Sequence, residues 1–250
     1  MARAAVLGRV TWRIGRVTEV RDETPTARTL AMDVPDWPGH LAGQHVDIRL
    51  TAPDGYSATR SYSIASAADS TQVEVTVDRL GAGEVSPYLT EVVTVGDQLE
   101  LRGPVGGWFV WQPSQIEPVN LIAGGSGVVP LMAMVRTHAT SGSSAPSRLL
   151  YSVREPGAVF YRDELHDRAR AGLDVTFAYT RSAPEGSTRA TGRVDERLLG
   201  EATWGSQVAP TSYVCGPTGF VETVADLLVE AGHEPDRIRT ERFGPSGGNP

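Results

Sequence analysis

The chain has 250 residues, 40% of them hydrophobic, and a formal net charge of −7. This length suits one large domain or two of ordinary size, and the acidic balance argues against nucleic acid as the main partner, because phosphate binding needs a basic surface. There is no run of about 18 apolar residues, which predicts no membrane span, and arginines interrupt the apolar residues at the start of the chain, which argues against a signal peptide.

Residues 9–112 predict an antiparallel β-barrel domain. Six segments alternate apolar and polar residues, as half-buried strands do, and Gly, Pro and Asp turns separate them. Several short strands at this spacing are typical of a barrel. The predicted strands are 15–22, 27–34, 44–50, 59–66, 73–80 and 97–103. One short helix, 86–93, is predicted between the last two strands.

From residue 119 the pattern changes to strands that alternate with helices. This alternation predicts βαβ crossovers and a parallel sheet covered on both faces. The predicted strands are 119–125, 148–154, 174–180, 211–216 and 237–244, and the predicted helices are 128–140, 162–172, 193–201 and 219–232. We therefore expect an α/β nucleotide-binding domain at 119–244, after a linker at 113–118 and before a flexible tail at 245–250.

The segment RSYSIAS, residues 60–66, combines a charge, an aromatic ring and serines in a predicted strand. Alternation along a strand places Arg60 and Tyr62 on one face and Ser61 and Ser63 on the other. An ordinary barrel exterior is one interpretation. The other is a ligand site in which Arg60 holds an anion, Tyr62 offers a flat apolar plate and Ser63 makes a hydrogen bond. The segment alone leaves both open.

A glycine-rich turn at 123–130 follows a predicted strand and opens a predicted helix. Glycines such as Gly125 and Gly127, here in a G-x-G-x-x-P spacing, let the backbone approach a phosphate, and a helix N-terminus favours negative charge. A tight turn with no ligand is the alternative. A standard dinucleotide fingerprint carries an acidic residue at the end of the second strand, where this sequence has Arg154.

Two further turns carry weaker signals. Cys215 ends a predicted strand at the edge where open parallel sheets bind ligands, although a lone cysteine is usually a small buried hydrophobic residue. In the barrel half, glycines at 81 and 83 precede Ser86, so backbone N–H groups are available there to an anion. The alternative is a strand-to-helix turn with Ser86 as N-cap.

Taken in chain order, these motifs resemble the ferredoxin–NADP reductase superfamily. The motifs are R-S-Y-S (60–63), G-x-G-x-V-S (81–86), G-P-x-G (103–106), G-G-S-G-x-x-P (124–130), V-C-G-P (214–217) and E-R-F (241–243). The resemblance runs from about residue 10 to residue 244 and is strongest to the reductase modules of bacterial oxygenases and flavohaemoglobins. In those modules a flavin-binding β-barrel precedes a nicotinamide-binding α/β domain.

The resemblance implies roles for individual residues. Arg60 pairs with the flavin pyrophosphate, Tyr62 stacks on the isoalloxazine and Ser63 reaches toward N5. Cys215 borders the nicotinamide and Glu241 lies next to the other flavin face, so Ser63, Cys215 and Glu241 are the implied catalytic residues. The flavin-binding residues are Arg60, Ser61, Tyr62, Ser63, Gly83, Glu84, Val85, Ser86 and Phe243.

The resemblance implies a nicotinamide dinucleotide as the electron donor, and the charge of one loop favours NADPH over NADH. The loop after strand 174–180 has Arg181, Arg189 and Arg193 against one acid, Glu185. Arginine forms charge-assisted contacts to a 2′-phosphate, whereas the ribose hydroxyl of NAD prefers an acid. Resemblance and loop charge together give these NAD(P)-binding residues: Gly125, Ser126, Gly127, Arg154, Thr180, Arg181, Arg189, Cys215, Gly216 and Pro217.

We expect an NAD(P)H-dependent flavoprotein reductase that contains FAD, with FMN as the alternative flavin. One cysteine cannot hold an iron–sulfur cluster, and the five histidines lack metal spacing, so the electron acceptor is expected to be a separate ferredoxin, oxygenase or haem protein. The lone cysteine also indicates a cytoplasmic location. Alternatives are an electron-transfer subunit of a larger complex, a free-flavin reductase and a non-enzymatic dinucleotide-binding module. The oligomeric state stays open.

Overall fold

We describe residues 11–81 and 83–243 of a computed structural model. The first half is a six-stranded antiparallel sheet in the order β4-β3-β6-β1-β2-β5. Its strands are β1 (Trp12–Thr24), β2 (Ala27–Asp33), β3 (His45–Thr51), β4 (Ser57–Ser63), β5 (Val73–Asp78) and β6 (Gln98–Val105). An isolated bridge between Ile64 and Val75 joins the two ends of the sheet. The sheet thus curls into the predicted barrel, with a seam between β4 and β5.

One short helix lies between β5 and β6. It begins as α1 (Val85–Pro87) and continues as a π turn, Tyr88–Val92. The N-cap position belongs to Glu84, so the alternative that Ser86 caps this helix is wrong. Ser86 lies inside the helix, and its hydroxyl accepts a hydrogen bond from the Leu80 N–H at 3.0 Å.

The second half is a five-stranded parallel sheet in the order β11-β10-β7-β8-β9. Its strands are β7 (Val119–Gly124), β8 (Ser147–Val153), β9 (Asp174–Tyr179), β10 (Thr211–Pro217) and β11 (Ile238–Phe243). The crossover helices are α2 (Val128–Ser141), α3 (Arg162–Arg170), α4 (Glu196–Ala202) and α5 (Thr218–Glu230). The expected α/β architecture is confirmed.

The strand order reverses at β7. The chain runs from β7 outward to β8 and β9, and then returns to the other side of β7 with β10 and β11. In open parallel sheets ligands bind at such a switch point, outside the carboxyl ends of the strands. The turn between β7 and α2 packs tightly against β10: a Cβ on Gly127 would lie 2.1 Å from the Cys215 carbonyl oxygen. Only glycine fits there.

A single apolar cluster connects the two halves. The α/β half contributes residues of β7, β8, β10 and α2, including Met134. The barrel half contributes Ala27, Ala42, Ala65, Phe109 and Trp111. The approach is tight, since a Cβ on Gly43 would lie 2.8 Å from Met134 Cε. The barrel and the α/β sheet are therefore packed against each other through α2.

The predicted domain limits, 9–112 and 119–244 with a linker at 113–118, stay a prediction. The tail 245–250 lies outside the described residues. Among the helices that are described, none has the length and apolar character needed to cross a membrane.

Candidate functional site

Arg60 and Tyr62 lie on the inner face of β4, along the seam. Their register partners on β3 are Ile48 and Val46, both fully buried in the barrel core, and directly opposite residues share a face. Arg60 is exposed and Tyr62 is half-buried. Burial raises the pKa of Tyr62 to about 12. The half-buried ring offers an apolar plate.

Arg60 is available to an anion. Its guanidinium donates to the Thr59 carbonyl at 2.8 Å, and within the described part of the chain it forms no ion pair. Arg49, on the neighbouring strand, is instead held by Glu100 at 2.8 Å. The charge of Arg60 is therefore uncompensated by this part of the protein.

Ser61 lies on the opposite face of β4, apart from Arg60 and Tyr62. Its hydroxyl donates to Asp47 at 2.6 Å, and Asp47 also accepts from Arg102 at 2.6 Å. The Ser61 hydroxyl therefore binds a side chain on the outer face of the barrel.

Ser63 has a buried hydroxyl without a partner. The residue is 5% exposed, and its Oγ makes no hydrogen bond to the described residues. An unsatisfied buried polar atom costs about 1–3 kcal/mol, so a ligand atom that hydrogen-bonds Ser63 would remove that cost.

The start of α1 faces β4 across the seam. The Tyr56 hydroxyl, just before β4, donates to Glu84 at 3.0 Å, and α1 is in contact with β4. The first N–H groups of a helix have no intrahelical acceptor, which makes the backbone at Glu84, Val85 and Ser86 a donor surface for an anion. The predicted flavin-binding Gly83 differs, because its N–H already donates to the Leu80 carbonyl at 3.0 Å. The Ser86 hydroxyl itself is occupied by Leu80.

The glycine turn at the end of β7 is open to a ligand. Gly125, Ser126 and Gly127 form a single 3₁₀ turn before α2. Gly125 has φ +54°, and no atom lies within 4 Å of the position its Cβ would take. A phosphate can approach this backbone closely, at the positive end of a 14-residue helix.

Cys215 and Glu241 are paired across β10 and β11. Cys215 is fully buried, and burial together with the nearby Glu241 charge raises the pKa of its thiol. Burial raises the pKa of Glu241 to about 7, and Glu241 Oε2 is buried without a partner. Gly216 and Pro217 follow at the end of β10, and Phe243, half-buried, ends β11.

We expect Glu241→Gln to melt at a higher temperature than the parent, by a margin that grows from pH 5 to pH 8. The folded-state pKa of Glu241, about 7, is above its ordinary 4.5, so the folded protein holds a proton that the unfolded chain releases. Stability is therefore lost as pH rises through this window, and the amide removes the loss. Melting curves across the pH range give the result, with the exposed Glu230→Gln as control. Parallel pH profiles for parent and Glu241→Gln would contradict this assignment.

The ends of β8 and β9 bring together the predicted NAD(P)-binding residues Arg154, Thr180 and Arg181. Thr180 N–H donates to the Val153 carbonyl, and Arg181 N–H donates to the Arg154 carbonyl, both at 2.9 Å. The side chains of Arg154 and Arg181 are exposed. Arg189 is engaged elsewhere, in an ion pair with Glu201 of α4 at 3.0 Å.

The sequence analysis missed the polar contacts between the two halves. Arg136 of α2 binds Glu74 of β5, and the Tyr161 N–H donates to Glu23 of β1. These partners are 62 and 138 residues apart in the chain. No periodicity or short motif marks such pairs.

Two family models match the chain in the same order as the two sheets. Residues 15–110 match the oxidoreductase FAD-binding domain, and residues 121–226 match the oxidoreductase NAD-binding domain. Ferredoxin–NADP reductase B of Sorangium cellulosum is 32% identical, over 91% of this chain and 96% of that protein. The chain therefore belongs to the ferredoxin–NADP reductase family, and the resemblance seen in the sequence is confirmed. FAD and a nicotinamide dinucleotide are the cofactors of its two domains.

Other relatives are longer or cover similar modules. The electron transfer component of toluate 1,2-dioxygenase from Pseudomonas putida is 28% identical over 82% of this chain, which spans 59% of that protein. The FAD/NAD-binding domain of nitric oxide dioxygenase from Vibrio cholerae has a TM-score of 0.83 at 27% identity, covering 93% of this chain and 99% of that one. The chain thus spans between half and two thirds of several curated relatives that it matches.

The residues present fit the two cofactors. Within the described residues, the barrel half offers an arginine without an acidic partner and an unpartnered buried hydroxyl at Ser63. The α/β half offers the open turn at Gly125 and the unpartnered carboxyl oxygen of Glu241. Each half therefore has polar or charged groups that the described residues leave without a protein partner.

Proposed function

We propose that this protein is an NAD(P)H-dependent flavoprotein reductase that passes electrons to a separate redox protein. The observation that carries this proposal is the pair of buried, unpartnered polar atoms, Ser63 Oγ in the FAD-type half and Glu241 Oε2 in the NAD-type half. The packed boundary between the halves is where a two-ring reaction site forms.

The chemistry belongs to the cofactors: a bound flavin takes a hydride from a reduced nicotinamide and releases the electrons to an acceptor. The residues of the chain bind, orient and shield. Arg60 neutralises pyrophosphate charge, and Tyr62 covers a ring face. Ser63 Oγ makes a hydrogen bond to the flavin, and Glu241, with a pKa of about 7, holds or releases a proton near neutral pH. Cys215 is a neutral thiol at the nicotinamide side.

NADPH is the proposed donor. Arg181, supported by Thr180 and Arg154 at the ends of β8 and β9, offers a cation to a 2′-phosphate. Gly125, Ser126 and Gly127 receive the pyrophosphate, and Gly216 and Pro217 line the nicotinamide side.

The proposed acceptor is a ferredoxin, an oxygenase or a haem protein. The chain has one cysteine, too few for an iron–sulfur cluster of its own. The toluate 1,2-dioxygenase relative is named as an electron transfer component. We also propose that the protein works in the cytoplasm, where a lone thiol stays reduced.

An anaerobic absorbance spectrum tests the reductase proposal. We expect the purified protein to carry the visible bands of FAD and to lose them on addition of NADPH, and more slowly with NADH. A protein that takes up no flavin, or whose bound flavin neither donor reduces, contradicts the proposal. Rapid reduction of free FMN in excess would favour a free-flavin reductase instead.

A further inference from the structure

We infer that Arg136 is a positioning residue for hydride transfer: it fixes the nucleotide-binding turn against the flavin-binding barrel. The inference rests on the proposed function, because it concerns the relative placement of the two bound rings.

Arg136 reaches out of α2 to the barrel. Its Nη1 donates to the Ala65 carbonyl at 2.9 Å and to Glu74 Oε2 at 3.0 Å. Ala65 follows β4 and Glu74 lies in β5, so both acceptors flank the seam where the barrel closes. The Arg136 side chain is only 13% exposed, which makes these contacts part of the domain boundary.

The remaining donors of Arg136 stay within its own half. Nη2 donates to Glu164 Oε2 of α3 at 2.6 Å, and Nε lies 3.1 Å from Glu164 Oε1. The guanidinium also lies over the Tyr161 ring, 5.0 Å from its centroid. A planar guanidinium held on two sides in this way has one orientation, which a flexible ammonium does not enforce.

These contacts form a row of alternating charges that we call the ionic bridge. It consists of Arg21, Glu74, Arg136, Glu164 and Arg168. Arg21 and Glu74 belong to the barrel, and the other three belong to the α/β half. Within this bridge, the Glu74–Arg136 ion pair is the link that crosses from the barrel to the α/β half. Partly buried ion pairs of this kind are weak evidence for net stability, so we assign the bridge a role in geometry.

Helix α2 connects Arg136 to the proposed nucleotide-binding turn. It begins directly after the turn at Gly125–Gly127, and Arg136 lies eight residues past its first residue, about 12 Å along the axis. The same helix makes two more barrel contacts. Thr137 Oγ1 accepts from the Ala68 N–H at 2.9 Å, and Thr140 Oγ1 donates to Asp69 at 3.1 Å. One rigid element therefore holds the dinucleotide turn at one end and the barrel at the other.

The experiment measures the arrangement directly, as a distance between spin labels in the FAD-loaded protein. Gln98→Cys in β6 and Asp226→Cys in α5 place labels at exposed sites on the two halves, and the native Cys215 is fully buried and stays unlabelled. We expect a single narrow distance distribution in the parent. Arg136→Met should broaden it, and Arg136→Lys should broaden it less.

Arg136→Met is expected to fold. Without Arg136, Glu74 keeps Arg21 at 2.9 Å and Glu164 keeps Arg168 at 3.3 Å, so neither carboxylate loses its last cation. Arg168→Met is the matched control: it removes a cation from the same bridge, within the α/β half, and should leave the distance distribution unchanged.

Stopped-flow reduction of the flavin supplies the functional readout. A misplacement of about 1 Å can cost about 100-fold in rate. We therefore expect Arg136→Met to slow reduction at saturating NADPH by about 10- to 100-fold, with the Kd for NADPH unchanged, and Arg136→Lys to recover part of the rate. Arg168→Met should behave like the parent.

An Arg136→Met protein with the parent's distance distribution would overturn the inference, whatever its rate. A broadened distribution with a parental rate would also overturn it. Should Arg136→Met not fold, Glu74→Gln, which keeps the hydrogen-bond acceptor but not the charge, takes its place under the same criteria. A parent that NADPH and NADH both fail to reduce would refute the proposed function, whereas the distance measurement would still decide whether Arg136 holds the halves.

Discussion

Replacing Arg60 by alanine is expected to weaken flavin binding by about 10- to 100-fold. A hydrogen bond to a charged group contributes about 1.5–3 kcal/mol, which corresponds to that range. Arg60 is exposed on the seam face of the barrel and has no acidic partner in the described chain, so its charge is available to a pyrophosphate. The Kd of FAD for the flavin-free protein, followed by quenching of flavin fluorescence, measures the effect.

Arg49→Ala is the matched control for this change. Arg49 lies on the adjacent strand but is bonded to Glu100 on the outer face, so its loss should leave the Kd of FAD nearly unchanged. If Arg60→Ala retains FAD on dilution like the parent, or if Arg49→Ala weakens FAD equally, the assignment of Arg60 fails.

Replacing Arg181 by alanine is expected to raise the KM for NADPH by about 10-fold and to leave the KM for NADH nearly unchanged. Only NADPH carries the 2′-phosphate that we propose this guanidinium binds. Loss of a charge-assisted contact corresponds to an increase in KM of about 10- to 100-fold. The exposure of Arg181 favours the lower end of this range, because solvent screens the interaction. Steady-state kinetics with both donors and one artificial acceptor measure the difference.

Arg189→Ala separates this site from the general charge of its loop. Arg189 is bound to Glu201, so its removal should change the KM for NADPH less than the removal of Arg181. A parent enzyme that prefers NADH, or an Arg181→Ala variant that loses efficiency equally with both donors, would rule out phosphate binding by Arg181.

Local periodicity was enough to predict most of the fold. Alternating residues gave the barrel strands, and alternating strands and helices gave the parallel sheet. The ends of elements were less accurate: the strand predicted at 59–66 is Ser57–Ser63 in the structure. Ile64 leaves the ladder with β3 to bridge Val75 across the seam, which is a tertiary contact that no local pattern contains.

Alternation also predicted which residues of β4 share a face. It placed Arg60 with Tyr62, as the β3 register shows. It could not show that the Ser61 hydroxyl is bound to Asp47, or that Arg136 meets Glu74, 62 residues away. Such pairings depend on how distant segments pack, and only the assembled fold contains that information.

Because the barrel and α2 share an apolar cluster, we expect the two halves to unfold together. Burial of apolar surface contributes about 25 cal/mol per Å², and here part of that surface lies between the halves, around Phe109, Trp111 and Met134. Neither half keeps this contribution alone. Heating should therefore give one calorimetric transition rather than two, and cleavage of the chain within 113–118 should yield fragments that expose these side chains and aggregate.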